Sequence, residues 1–561
     1  MAELAKERFD AIVVGSGASG GWACKRLTEA GLKVALVDAG RKLDPSEYGE
    51  HRPPFELPYR DRAPEVVRRT RPIQKLFCDE HNYRWFANDL EEPYTTAPGT
   101  SFTWVGRVRV TGGRTVVWGR QCYRFSEQDF KAASFDGYGE DWPIGYADLA
   151  PYYDLVEDYV GISGAAEGLD VLPDSRFQPP MPMTCAETHL RKRVRETFAR
   201  TVTIGRTAVL TRPLNGRAAC HYCGPCHRGC MTHSYFNSAV TTVADAAATG
   251  RLTHVQNAMV ARVLMDGPQN RATGVLYVDR DTREMREVRG RTVILCAQAL
   301  ESARILFNSA DPRHPNGLAN SSGALGHYLM DHIWVGGGAA AEFPDHAGTA
   351  SVTGPNRPNG IYVARFRNTP KGPRSKEFLR GYGFQGGSST DFRFAATGVG
   401  EAYKQAVRQP TTTLRLGGFG ECLPRYENFV ELDRGVVDTY GIPVLRIQMT
   451  WSENEHAMID DMAKTGAEML EAAGGRDVKP FTVHDRECGR GIHEVGVARM
   501  GHDKRRSVLD AFQRTHDVAN LFVMDGSGFT SSACQNPTLT IMALAVRSCD
   551  HLLERMRRGE L

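Results

Sequence analysis

The sequence predicts an α/β protein, α+β when the whole chain is counted, in which a discontinuous dinucleotide-binding domain carries an inserted, mainly β-sheet domain. Three observations support this. The chain opens with a strand, a glycine turn and a helix. The same strand, loop and helix order returns twice, the last time at the C-terminus. Between these pieces the pattern changes to short strands punctuated by glycine.

The elements follow in order. Phe9 to Val14 is an apolar run ending in Gly15-Ser16-Gly17-Ala18-Ser19-Gly20, after which Gly21 to Ala30 reads as a helix and Val34 to Val37 as a second strand. Asp38 closes that strand 18 residues beyond Gly20, where a carboxylate can accept the ribose hydroxyls of an adenine dinucleotide. A plain glycine-rich turn would leave Asp38 unexplained. Arg52 to Pro64, rich in proline, reads as a surface excursion. Thr292 to Leu295 leads into a helix over Ala299 to Asn308, and Leu521 to Met524 leads through Asp525-Gly526-Ser527 into a helix over Leu539 to Leu552. Because the last unit is C-terminal, the first domain must be interrupted. From about Trp334 to Asp485, runs such as Thr412 to Leu416 and Val444 to Met449 read as strands. The expected boundaries are 1–333 with 486–561 for the nucleotide domain and 334–485 for the inserted one.

Composition narrows the function. With 561 residues, 41% apolar and 24% charged, the chain has the profile of a folded globular protein of two to four units. Lys and Arg number 69 against 66 acidic residues, with no long basic run, so nucleic acid is not an expected partner. No apolar stretch approaches the ~20 residues of a membrane span. The charged Met1 to Asp10 segment does not read as a signal peptide.

Nine of thirteen cysteines are scattered, and four crowd together as Cys220-x2-Cys223-x2-Cys226-x3-Cys230 in a loop at about 215–235. Thiolates at this density can wrap an iron–sulfur cluster, whereas structural zinc usually draws two distant pairs together. Met231 stands where the ferredoxin pattern has proline. Zinc, disulfides and free thiols are the alternatives. His221, His227 and His233 read as structural or solvated, not as ligands.

The C-terminal motifs are the most specific: Gly491-Ile492-His493-Glu494-Val495-Gly496, Arg499-Met500-Gly501, Asp525-Gly526-Ser527 and Gln535-Asn536-Pro537-Thr538-Leu539-Thr540. With Gly106 to Trp118 and its Gly112-Gly113 pair, Asp141-Trp142-Pro143-Ile144, Ala297 to Ser309 and Leu329-Met330-Asp331-His332, they resemble the glucose-methanol-choline (GMC) flavoprotein oxidoreductases along nearly the whole chain. The resemblance implies a Rossmann-like FAD-binding domain, with Gly15, Ser16, Gly17, Gly20, Asp38, Gly112, Gly113, Val260, Asp525, Gly526, Asn536, Pro537 and Thr538 at the cofactor. It implies His493 and Asn536 beside the flavin ring. The residue types suit alcohol oxidation, in which a neutral imidazole takes the hydroxyl proton while hydride leaves the carbon, and an asparagine amide holds the same oxygen. His332 is the next candidate base.

Cys220, Cys226 and Cys230 match the C-x5-C-x3-C spacing of a branch resembling bacterial FAD-dependent glucose dehydrogenase catalytic subunits. A three-iron (3Fe-4S) cluster with Cys223 free and a four-iron (4Fe-4S) cluster using it both remain open. With Ala533-Cys534-Gln535-Asn536-Pro537, the motif looks most like glucoside 3-dehydrogenases, which make 3-keto sugars from glycosides and disaccharides. Such enzymes commonly work with a small subunit bearing the export signal and with cytochrome c, which implies a periplasmic enzyme exported alongside its partner; the alternative is a cytoplasmic one. The competing functions are a glucose or polyol dehydrogenase acting at another carbon, an oxygen-using pyranose oxidase, a non-redox flavoprotein lyase and a zinc-dependent docking loop.

Overall fold

Strand Arg8–Val14 has five buried residues of seven with no polar alternation, the pattern of a strand covered on both faces. In the computed structural model, which describes residues 7–62, 65–346, 356–392 and 398–561, it lies in the middle of a parallel layer. Met1 to Lys6 of the N-terminal reading, and Ala63 and Pro64 of the proline-rich excursion, lie outside the described residues. On one side stand Val34–Val37 and then Leu252–Val255; on the other stand Met285–Leu295 and then Leu521–Val523. Met285–Leu295 is long because it serves two ladders. Its first residues pair antiparallel with Arg271–Asp279, which pairs in turn with Ala258–Asp266, and its last seven pair in parallel with Arg8–Val14.

Helix Ala18–Glu29 begins three residues before the sequence-based start at Gly21, because Gly17 is its N-cap and the glycine turn tightens directly into the first turn. Helix Thr538–Arg557 packs against it and is buried on almost every side from Leu539 to Cys549, with Leu539, Met542, Ala543, Leu544 and Val546 in the core. The C-terminal unit thereby completes a layer begun at the N-terminus, as the interrupted domain requires.

The stretch 334–485 divides between two cores. Ile333–Glu342, Tyr382–Phe392, Pro410–Gly420 and Arg476–Thr482 join Ile361–Val363 and the earlier strand Val202–Ile204 in a six-stranded antiparallel sheet. Helix Glu453–Ala472 lies so close across it that a Cβ at Gly337 would stand 2.2 Å from the Ile459 carbonyl oxygen. Phe429–Val437 and Pro443–Gln448 instead pair with each other, and Thr95–Thr96 joins them. Val430, Val444, Leu445 and Ile447 put their apolar side chains into the core of the nucleotide domain. Among the described residues no helix is long and apolar enough to cross a membrane.

Candidate active site

A cleft of about 1320 Å3, counting its part open to solvent, runs along the C-terminal ends of the parallel strands. Of the residues expected at a cofactor, Gly15, Ser16, Gly17, Asp38, Gly113, Val260, Asp525, Gly526, Pro537 and Thr538 line it. Gly20, Gly112 and Asn536 do not line it. Gly20 is needed by the turn itself, since a Cβ there would fall 1.8 Å from the Gly15 carbonyl oxygen. Gly112, at φ +94°, donates its N–H to Ser16 Oγ at 2.7 Å and so ties two cleft walls together. The N-termini of helices Ala18–Glu29 and Thr538–Arg557 open on the cleft, an arrangement that favours negative charge on a ligand.

Two features test the fit of an adenine dinucleotide. The buried Asp38 accepts the Gly40 N–H at 2.7 Å through Oδ1, while its Oδ2 has no partner. A buried acceptor left open is costly unless a ligand hydroxyl fills it. Gly17 has nothing within 4 Å of where a Cβ would stand, so a side chain there would project into the space over the helix N-terminus. Both fit FAD. Ser302 and Ser527 take up the Asp525 carboxylate, which leaves the backbone of this cleft-lining residue to face a ligand.

A buried charge network, which the sequence does not reveal, stiffens the dinucleotide end. Glu301 accepts from Arg107 and Arg109 at 2.8 Å each, and Glu92 accepts from Arg109 at 2.7 Å and Arg280 at 2.9 Å. Burial opposes charge on Glu301, but the surrounding arginines, Arg109 first, hold its carboxyl well below the usual range. Arg107, Arg109 and Glu301 reach the cleft from segments about 190 residues apart in sequence, so no local pattern could show the network.

At the other end stands His493, in a short turn fixed by Asp331, whose carboxylate accepts from the Gly491 and His493 N–H groups at 2.8 and 2.9 Å. Burial, then the neighbouring Glu494, pushes the Asp331 carboxyl up to about 7. His493 Nδ1 faces His332 Nδ1 at 3.1 Å. Burial, then His332 and Arg114, holds the His493 imidazole well below the ordinary histidine pKa. Burial likewise lowers His332 to about 4, against the backbone of Ala533 and Gln535, which favours its proton. Of two neutral rings that meet Nδ1 to Nδ1, one donates and the other accepts, and His332 Nε2 is buried without a hydrogen-bond partner. His493 Nε2 has no hydrogen-bond partner among the described residues, and with His493 as the donor across the Nδ1 pair that nitrogen carries a lone pair.

Asn536 belongs to the Gln535-Asn536-Pro537 strap beside His332. Its Oδ1 accepts from Gln385 Nε2 at 2.8 Å, so its amide N–H groups are the ones left to hold an oxygen. Gln385 comes from the substrate sheet, as does Phe419, whose ring lies 5.8 Å from that of His493. Sequence reasoning missed both, because each reaches the site by strand register and not by a local motif.

The four clustered cysteines are all half-buried, and none is in a disulfide. Cys220, Cys226 and Cys230 pack on one apolar cluster with Met181, Ile204, Val209 and Tyr235. Trp118 packs on the same cluster and lines the cleft. Cys220 Sγ accepts the Tyr222 N–H at 3.4 Å and Cys230 Sγ accepts the Ser234 N–H at 3.3 Å. Burial, followed by the other three cysteines and Glu50, pushes the Cys223 thiol up to about 11. His227 Nε2 meets Asp79 at 2.9 Å, in agreement with a structural role.

A nucleotide cleft ending at a pair of imidazoles, His332 buried and His493 half-buried, suits an oxidoreductase acting on CH–OH groups. The chain belongs to the GMC oxidoreductases, whose N-terminal model matches residues 9–334 and whose C-terminal model matches 424–545. Members of this family bind FAD. The chain is 29% identical to 2-methyl-1,2-propanediol dehydrogenase of Mycolicibacterium austroafricanum, over 98% of this chain and 96% of that one. It is 26% identical to the fructose dehydrogenase large subunit of Gluconobacter japonicus, over 98% of both. A C-glycoside 3-oxidase of Microbacterium trichothecenolyticum is 29% identical over 53% of each chain. Pyridoxine 4-oxidase from Mesorbium loti shares the fold, with a TM-score of 0.57 at 17% identity over 97% of this chain and 98% of that one.

Proposed function

We propose that this protein is an FAD-dependent sugar dehydrogenase that oxidises a ring secondary hydroxyl of glucosides and disaccharides at C3 and passes the electrons through an iron–sulfur cluster to an external acceptor such as cytochrome c. FAD, when bound, supplies the hydride acceptor; the chain supplies position and proton transfer. His493 Nε2 takes the hydroxyl proton, and the Asn536 amide donates to the same oxygen. His332 sets the His493 tautomer, and Gln385 fixes which end of Asn536 faces the substrate. The half-relative acting at C3 of glycosides supports the choice of carbon, and the fructose dehydrogenase large subunit, named as one subunit of several, supports a small partner. Transport of the chain to the periplasm alongside an export-signal-bearing partner completes the reading.

The observation that carries the relay is the apolar cluster that joins three half-buried thiols to Trp118 at the cleft wall. Cys220, Cys226 and Cys230 would hold the cluster. Two of these sulfurs accept backbone N–H groups, which favours thiolate ligands. Cys226→Ser tests it. Substrate should still bleach the flavin in a single turnover, and small dyes that reach the flavin should still be reduced, while cytochrome reduction should fail. Wild-type transfer to cytochrome in this variant would remove the relay.

A further inference from the structure

On the solvent side of the cysteine loop, His221 is not a lone solvated imidazole. Its Nε2 stands 3.3 Å from Nε2 of His51, which comes from a separate segment 170 residues earlier. The two rings are stacked with centroids 5.0 Å apart, so they converge towards their Nε2 edges. The Cys223 sulfur joins them, and all three ligand atoms lie within 4.8 Å of one another. No other set of His, Cys, Asp and Glu side chains among the described residues meets that condition. The remaining three cysteines of the loop are not part of it.

We propose that His51, His221 and Cys223 form a mononuclear binding site for a borderline-soft divalent cation, zinc being the best match, separate from whatever Cys220, Cys226 and Cys230 hold. Two imidazoles and one thiolate make a donor set that suits zinc and disfavours magnesium or calcium. Geometry agrees. With Zn–N bonds of about 2.0–2.1 Å, two nitrogen ligands of a tetrahedral ion stand about 3.3–3.4 Å apart, which is the separation of the two Nε2 atoms. It is also longer than an ordinary imidazole hydrogen bond. Beside them lies Glu50, with Oε1 3.9 Å from His51 Nε2 and Oε2 buried without a partner. Its carboxylate adds negative charge at the site. Both histidines are exposed and Cys223 is half-buried, so a cation can enter from solvent and the fourth position is left to water or to a partner's side chain. The site clips the excursion after strand Val34–Val37 to the cysteine loop. It also gives the extra cysteine a role outside the cluster, leaving the three-cysteine C-x5-C-x3-C set intact. It stands whether or not that set binds iron.

The test uses the purified flavoprotein with its native metal content, treated with zinc chloride and desalted, with zinc, iron and flavin measured on each sample. Wild type should retain one zinc per chain. His51→Ala, His221→Ala and Cys223→Ser should each lose it, weakening binding by at least the roughly 10–100-fold that loss of even an outer-shell partner costs. Iron and flavin content should not change. His484→Ala, in a second surface histidine pair with His456, is the control and should keep the zinc. Zinc K-edge absorption should report two nitrogens and one sulfur. Because the two histidines are exposed, their replacement leaves the core untouched, and full flavin occupancy verifies folding. Failure of wild type to retain zinc would overturn the proposal, as would zinc retention in the histidine variants. Loss of iron in Cys223→Ser would also overturn it, by assigning that thiol to the cluster.

Discussion

Replacing His493 by alanine removes the imidazole that lines the cleft and whose Nε2 has no hydrogen-bond partner among the described residues. A positioned general base contributes about 10²–10⁴ in rate, or about 3–5 kcal/mol of barrier. The structure places the expected loss towards the upper part of that range. His332 is 1% exposed and does not line the cleft, so it is not placed to take over as base. FAD should remain bound, since the dinucleotide end of the cleft is untouched. The assay is anaerobic stopped-flow measurement of flavin absorbance after mixing with saturating sugar. The wild-type pH profile adds an independent check. His493 must be neutral to act, and its pKa is held well below 6.5, so activity should persist as pH falls through the ordinary histidine range and be lost only below it. Flavin reduction in the variant within tenfold of wild type, or an acid limb at or above pH 6.5, would refute the assignment.

Gly17→Leu should yield colourless protein, because the side chain would fill the space over the helix N-terminus where the backbone must approach the pyrophosphate; flavin release on denaturation measures it. Glu301→Ala removes one of the two carboxylates that Arg107 and Arg109 share, Glu92 being the other, and should destabilise the fold by about 1.5–3 kcal/mol in denaturant titrations. Glu421 is buried with its carboxyl pushed up to about 7, chiefly by burial, which outweighs Arg380 and Arg365. A carboxyl with a raised pKa binds its proton more readily in the folded state, so it stabilises the fold below its unfolded pKa and this contribution is lost as pH rises from about 4.5 to 7. Glu421→Gln should therefore gain stability relative to wild type between pH 4.5 and pH 8 in paired thermal melts.

The nucleotide half of the fold is legible in the sequence because its signals are local. Strand Arg8–Val14, the Gly15 to Gly20 turn and Asp38 lie within one supersecondary unit, and each constrains the next. The return of the pattern at Leu521 is equally local, so the interruption of the domain follows from the order of the motifs along the chain. His493 and His332 are visible as motif residues. Their joint role is not, because it depends on an Nδ1 to Nδ1 contact between segments 161 residues apart that only folding creates. Gln385, Phe419 and the Glu92–Glu301 arginine network are illegible because contacts such as Gln385 to Asn536, 151 residues apart, and Arg107 to Glu301, 194 apart, form only through tertiary packing. The strands Phe429–Val437 and Pro443–Gln448 show another limit. The sequence marks Val444 to Met449 as a strand, but not which of two cores its apolar face joins.

Anaerobic mixing of the holoenzyme with methyl glucoside tests the central claim most directly, because the blocked anomeric carbon cannot form a lactone and any oxidation must fall on another hydroxyl. The expected result is bleaching of the flavin together with a ketone product at C3. Bleaching by glucose but not by methyl glucoside, or no bleaching by any sugar near neutral pH, would contradict it.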